Sequence, residues 1–182
     1  MTYSINTQRA LASMIKVLDL DGPRPYLALV GIKDGRAVIT NGFALMSFTS
    51  EDFGTEDKVI NAYHQECDIK FPSVAQAISG QPGEKISDLA AQQLEFLTKG
   101  WKAPRAAKAG KIGYLRFLGG EFSLVQEARG PGRFFNPKLI GDYMKAVSNG
   151  GNITDIYIRE CQLHINYDNG FMVLVLEVAV FE

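Results

Sequence analysis

Arg9-Ala10-Leu11-Ala12-Ser13-Met14-Ile15-Lys16-Val17-Leu18 and Lys138-Leu139-Ile140-Gly141-Asp142-Tyr143-Met144-Lys145-Ala146-Val147 carry one pattern in one phase. Shifting the first run by 129 residues lays Arg9 on Lys138, Leu11 on Ile140, Met14 on Tyr143 and Lys16 on Lys145. In both runs the apolar residues recur at helical spacing. Each run leads into strand-like segments that hold the same turn. These turns are Asn41-Gly42-Phe43 and Asn169-Gly170-Phe171, at an offset of 128. A helix pattern and a turn pattern repeating at nearly one offset imply internal duplication.

Outward from the first run, residues 2–6 alternate as a short strand, and Asn6 or Thr7 is the N-cap expected for a helix to about Leu18. Asp21-Gly22-Pro23 breaks that helix. Residues 26–32 read as a strand, and Lys33-Asp34-Gly35-Arg36 has the Asp-Gly signature of a hairpin. Residues 37–40 and 44–49 complete a strand, helix, three-strand unit. Around the second run, 114–117 or 122–125 supplies the strand, and Asn136-Pro137 is a strong helix start. That helix runs to Val147 and ends at Ser148-Asn149-Gly150-Gly151. Strands are predicted over 153–158, 162–167 and 171–180. The last is nearly all apolar and is expected at a sheet edge, pairing across a subunit boundary. Leu11, Met14, Ile15 and Leu18, with Ile140, Tyr143, Met144 and Val147, are the predicted buried faces.

Between the units lies a middle segment, about 51–112, read as an insertion into a single domain spanning 1–182. A strand is expected over 60–69 and helices over 71–79 and 87–97, the last with Ser87 and Asp88 at its start. Residues 99–111 are basic without one acidic side chain. The chain has 182 residues, enough to bury a sizeable core. Its formal net charge of -1 excludes a globally basic nucleic-acid binder but leaves room for a local basic patch. No apolar run is long enough for a transmembrane helix. The first residues carry no secretory pattern, and Cys67 and Cys161 are too few for a disulfide scaffold. A reduced, cytoplasmic setting is the expectation, without a membrane partner.

In this order of elements the chain resembles the bacterial DNA sliding clamp family, the beta subunit of the replicative polymerase. The residues that carry the likeness are Met1–Asn6 followed by the helix 9–18, and the Arg24-Pro25-Tyr26-Leu27 loop into the Lys33-Asp34-Gly35 hairpin. Thr40-Asn41-Gly42-Phe43-Ala44-Leu45-Met46 and Phe135-Asn136-Pro137-Lys138-Leu139 complete it. The resemblance covers 1–50 and 121–182 and leaves the middle out. It implies an α+β clamp-like domain of two pseudo-symmetric units, whose two helices meet duplex DNA phosphates without reading bases. Clamp chains string three domains together and this chain has room for one, so a six-domain ring implies six copies or another clamp protein. The implied partners are duplex DNA and a DNA polymerase or another replication protein, in a homo-oligomer.

The candidate DNA-binding residues follow from charge placement. Arg9 and Lys16 are seven apart and share a helix face, as do Lys138 and Lys145. Phosphate contact is electrostatic and tolerant of sliding, which suits such faces; a solvated helix face has the same pattern. Lys99, Lys102, Arg105, Lys108 and Lys111, with Trp101 among them, suit a phosphate backbone or an unstacked base. A solvated loop has the same composition.

His64-x-x-Cys67 and Cys161-x-x-His164 make a zinc set by residue type. On a strand, residues three apart point to opposite faces, which argues against it. No metal or cofactor is expected. No Gly-x-Ser-x-Gly elbow or Walker-type loop is present, and the acidic loop residues Asp19, Asp21, Glu51 and Asp52 read as solvated charges, so no enzyme is expected. The expected function is a sliding-clamp-like DNA-binding processivity protein. The alternative is a clamp-fold protein-interaction module, a regulator or inhibitor of a replication or other partner, without DNA binding; a third reading is an unrecognised hydrolase whose catalytic groups converge from distant positions.

Overall fold

Asp34 and Gly35 both adopt positive φ, 50° and 71°, which gives the two-residue turn whose twist matches paired strands. That turn joins β1 (Val30–Lys33) to β2 (Arg36–Thr40), and β3 (Ala44–Thr49) continues the meander. A second meander comprises β9 (Ile153–Arg159), β10 (Gln162–Tyr167) and β11 (Phe171–Leu176). These elements come from a computed structural model that describes residues 3–18, 20, 24–74, 77–78, 83–99, 113–147 and 151–179.

Among the described residues the two meanders fuse into one antiparallel sheet of eight strands, in the order β4-β1-β2-β3-β11-β10-β9-β5. β4 (Lys58–Ile60) and β5 (Glu84–Lys85) are its edges. The seam is β3 against β11, where Leu45 faces Leu174 and Met46 faces Val173. The offset of 128 between the Asn-Gly-Phe turns carries Leu45 to Val173 and Met46 to Leu174, so it maps one of these pairs onto the other. A pseudo-two-fold axis therefore passes between β3 and β11, and the sequence duplication is a symmetry of the sheet.

Among the described residues, three helices cover one face. They are α1 (Ile5–Ile15), α2 (Asp88–Lys99) and α3 (Pro137–Val147). Leu11 and Met14 of α1 and Ile140 and Tyr143 of α3 are buried, as their shared phase demands, while Ile15, Leu18 and Met144 are partly buried against the same core. They meet a row running straight across the sheet: Ile39, Met46, Val173, Ile165 and Ile156. The opposite face holds a smaller cluster of Val38, Leu45, Met172 and Leu174, with Phe71, Val74, Ala77 and Ile78 packed over it.

β6 (Tyr114–Leu118), β7 (Glu121–Val125) and β8 (Arg133–Phe135) form a second sheet, ordered β7-β6-β8. Both strands expected before α3 are thus present. β5, α2, β6 and β7 share the strand–helix–strand order of β8, α3, β9 and β10, and Ile60, Ile86, Ala90 and Leu94 of the middle segment enter the main core.

Several boundaries differ from expectation. α1 starts a turn early, because Ser4 and not Asn6 or Thr7 is its cap. The Ser4 hydroxyl accepts from Thr7 N at 3.4 Å, and Asp52 accepts from Ser4 N at 2.9 Å. Ile5 and Asn6 are therefore helical, not strand. Pro25 opens a 3-10 turn over Pro25–Ala28, so β1 begins only at Val30. The strand expected over 60–69 stops at Ile60. The Asn61 carboxamide accepts from Tyr63 N and Gln65 N, and the chain turns back so that Cys67 N donates to Val59 O at 2.8 Å. Of the helix expected over 71–79, residues 71–74 are not helical, because Pro72 disfavours a helical Phe71; Ala77 and Ile78 are helical, and the other positions lie outside the described residues.

The predicted edge role of 171–180 is overturned. β11 lies in the middle of the sheet between β3 and β10, which is where a run of Phe171, Met172, Val173, Leu174 and Val175 with both faces apolar belongs. It ends at Leu176, since Glu177 N then donates to Cys161 O and Val178 N to Phe134 O.

Candidate nucleic-acid interface

Lys16 caps the C-terminus of α1, and Lys145 lies in the last turn of α3. Both positions suit a cation, because the last turn of a helix carries partial negative charge. Lys138 sits in the first turn of α3, where the helix field opposes it. An ion pair with Asp142, one turn on, offsets that field. Asn136 starts this helix by accepting from Lys138 N at 3.0 Å and Leu139 N at 3.2 Å, and so fixes where Lys138 and Lys145 emerge.

The two helix ends meet in a groove of about 730 Å³. Lys16, Lys138 and Lys145 line it, with Asp142, Asn41 and the edge of Tyr143. Burial holds the Tyr143 hydroxyl protonated, well above the ordinary tyrosine range. Three cations thus face one carboxylate in a groove that both repeats build. Arg9 is exposed on the same face of α1 as Lys16 but does not line the groove. Lys99 ends α2, which packs on α3 through Thr98 and Met144. Lys102, Arg105, Lys108 and Lys111 lie outside the described residues. The lining residues Asp142 and Asn41 were not among the candidates. Asp142 was legible as the i+4 partner of Lys138. Asn41 had a signal only as a turn residue, since nothing local says which helix its turn meets.

The proposed zinc set is dispersed. His64 sits in the turn after β4 with φ 62°, and Cys161 in the turn between β9 and β10. His164 is buried under the opposite sheet face, stacked on Tyr157 at 4.7 Å with Nε2 2.9 Å from the Gln162 carboxamide oxygen. Among the described residues no group of three His, Cys, Asp or Glu is arranged to hold a metal ion. Among them, too, no helix is long and apolar enough to cross a membrane.

No family model and no curated protein matches this sequence. Solved structures do. The DNA polymerase III beta subunit of Thermotoga maritima superposes with a TM-score of 0.66 at 14% identity, over 96% of this chain and 64% of that one. The DNA polymerase sliding clamp of Bacillus subtilis gives 0.63 at 11%, over 97% and 63%. The DNA polymerase III subunit beta of Pseudomonas aeruginosa gives 0.62 at 14%, over 96% and 64%. The chain spans less than two thirds of the length of these clamps. Since the match takes in nearly all of this chain, it extends through the middle segment that the sequence resemblance left out. What such a likeness establishes is architecture: the chain has the fold of the bacterial DNA sliding clamps.

Proposed function

We propose that this chain is a clamp-like protein that contacts the phosphates of duplex DNA without reading sequence, through the basic ends of α1 and α3. One observation carries the reading: Lys16 and Lys145, placed by equivalent positions of the two repeats, line one groove with Lys138. Phosphate contact needs positive charge at roughly fixed positions and no particular base edge, which three lysines on two helices supply. Arg9 extends the basic face along α1, and Lys99, Lys102, Arg105, Lys108 and Lys111 are further candidates. Such a protein acts by binding and not by bond chemistry. Since it spans 64% of the length of the clamps it matches, encircling a duplex takes more than one copy, or another clamp chain. A DNA polymerase or other replication protein is the partner class this reading implies.

The test is fluorescence anisotropy of a labelled duplex at ~50 and ~200 mM salt, within the range where counterion release dominates. We expect weak, sequence-independent binding, with a slope of log K against log salt of about −3 for three to four phosphates neutralised. Changing Arg9, Lys16, Lys138 and Lys145 to Glu abolishes it while leaving the fold intact, because all four are exposed. Undetectable binding at the lower salt overturns the reading and leaves the protein-interaction module in its place. The Lys138–Asp142 pair favours that second reading to the extent that it already neutralises one of the groove's cations.

A further inference from the structure

The groove between α1 and α3 holds more than charge. Val17, Leu18, Leu139 and Ala146 line it beside the lysines. Phosphate contact uses none of them, since its partners on DNA are charged oxygens. The turn that ends α1 sets two of them in place. Val17 N donates to Met14 O at 3.1 Å and Leu18 N to Ile15 O at 3.2 Å, so both side chains stay beside the helix end. Asn136, by accepting from Leu139 N, sets Leu139 in the first turn of α3. Val17, Leu18 and Leu139 pack on the core yet are only partly buried, while the lysines around them are exposed. The groove thus has an apolar floor and a charged rim.

The rim is built of donors. Asn41 uses its side-chain oxygen to accept from Phe43 N and Ala44 N, at 2.9 and 2.8 Å, which leaves its amide N–H groups as what it offers. Among the described residues the lining holds three cations and one acid. That acid, Asp142, falls between Lys138 and Lys145, which stand two helical turns, about 10 Å, apart on α3.

We propose that this groove takes a short acidic helix of a partner protein, with two apolar anchors on its inner face and a carboxylate at either end of that face. The lining lies on helices and the loops beside them and none of it on a strand, so a ligand docks there as a helix in a groove and not by strand addition. On a helix, positions i, i+3, i+4 and i+7 share a face. Carboxylates at i and i+7 match the separation of Lys138 and Lys145. Apolar residues at i+3 and i+4 then fall over the floor, where an acid would meet Asp142. The three cations select this helix against a basic one. The groove's volume of about 730 Å³ lies within the roughly 300–1,000 Å³ of ligand sites. This binding does not rest on the DNA reading. Only its consequence does: helix and duplex exclude each other, because both use Lys16, Lys138 and Lys145.

The experiment is fluorescence anisotropy of labelled peptides with the whole protein. The first peptide carries Glu-x-x-Leu-Leu-x-x-Glu, with alanine and glutamine at x. A second has serine for both leucines, and a third has lysine for both glutamates. We expect the first to bind, the second to bind at least about tenfold more weakly for loss of its buried anchors, and the third not to bind. Lys16→Glu with Lys145→Glu, and separately Leu139→Gln, each weaken the first peptide about tenfold or more; circular dichroism checks that both proteins stay folded. A first peptide that does not bind overturns the proposal. So does equal binding of the serine peptide, which makes the groove a site for charge alone, or binding indifferent to both protein variants. Where a labelled duplex binds, saturating peptide is expected to displace it, and a duplex that is retained overturns the shared groove. A peptide that binds a protein without duplex affinity upholds this proposal and overturns the DNA reading alone.

Discussion

His164 shows no solvent exposure, and its Nδ1 has no hydrogen-bond partner. Burial first, and the Arg159 guanidinium second, lower its pKa to about 4 from the ordinary 6.5. The folded state therefore holds the imidazole neutral, and the unfolded chain binds the proton more readily. Stability from this group is complete above about pH 6.5 and is lost as pH falls toward 4, a loss of about 3 kcal/mol across that window. Urea unfolding at pH 7 and at the acid end should show this difference, and His164→Leu should shrink it; an unchanged pH dependence in the variant would refute it. The sequence placed His164 on a strand correctly. Its burial was not legible, because that face of the sheet is covered by residues distant in sequence, Phe71, Val74, Ala77 and Ile78, packed on the neighbouring cluster that holds Leu174, the partner of His164 across the strands. Lys16 and Lys145 were legible as exposed helix residues from phase alone. Their convergence was not, since it depends on how α1 and α3 pack.

Elements were read best where the signal is local. The caps Asn136-Pro137 and Ser87, the Asp34-Gly35 turn and the short apolar stretches of β2, β3, β9 and β10 all act within a few residues of themselves. Elements failed where a distant group decides. α1 begins at Ile5 because Asp52 and Ser50 reach Ser4 and Thr7 from elsewhere in the chain. Residues 71–74 and 77–78 are shaped by the sheet they cover. There the ring of Phe71 lies directly on Gly31 of β1, so that a β-carbon at Gly31 would stand 2.5 Å from Phe71 Cδ1. Gly31→Ala must push the ring off the sheet, and we expect it to cost about 1–3 kcal/mol, measured by chemical denaturation. Combining it with Phe71→Ala should remove much of that cost. A Gly31→Ala variant as stable as wild type would show that the segment yields freely.

The molecule as a whole joins its repeats through a shared sheet and not through a linker. Residues 44–48 of the first meander pair with 171–175 of the second, and both contribute to one core. Neither meander has a core of its own to retain once the seam opens. Equilibrium unfolding is therefore expected to be a single transition, with far-UV circular dichroism and tyrosine fluorescence coincident. Two separated transitions would mean that the repeats are independent units. The duplication and its offset were visible in the sequence, but the seam was not: the apolar run in β11 signals a doubly covered strand without naming β3 as its neighbour.

That seam also has a consequence in time. A ribosome releases the chain from its first residue onward, so β3 emerges with one side unpaired, and its partner is made about 128 residues later. At bacterial or eukaryotic synthesis speeds the wait is on the order of ten seconds. During it Ala44, Leu45, Met46 and Phe48, all buried in the finished sheet, have no strand to lie against. The nascent first half is thus the aggregation-prone stage of this protein's life, and slow translation lengthens it.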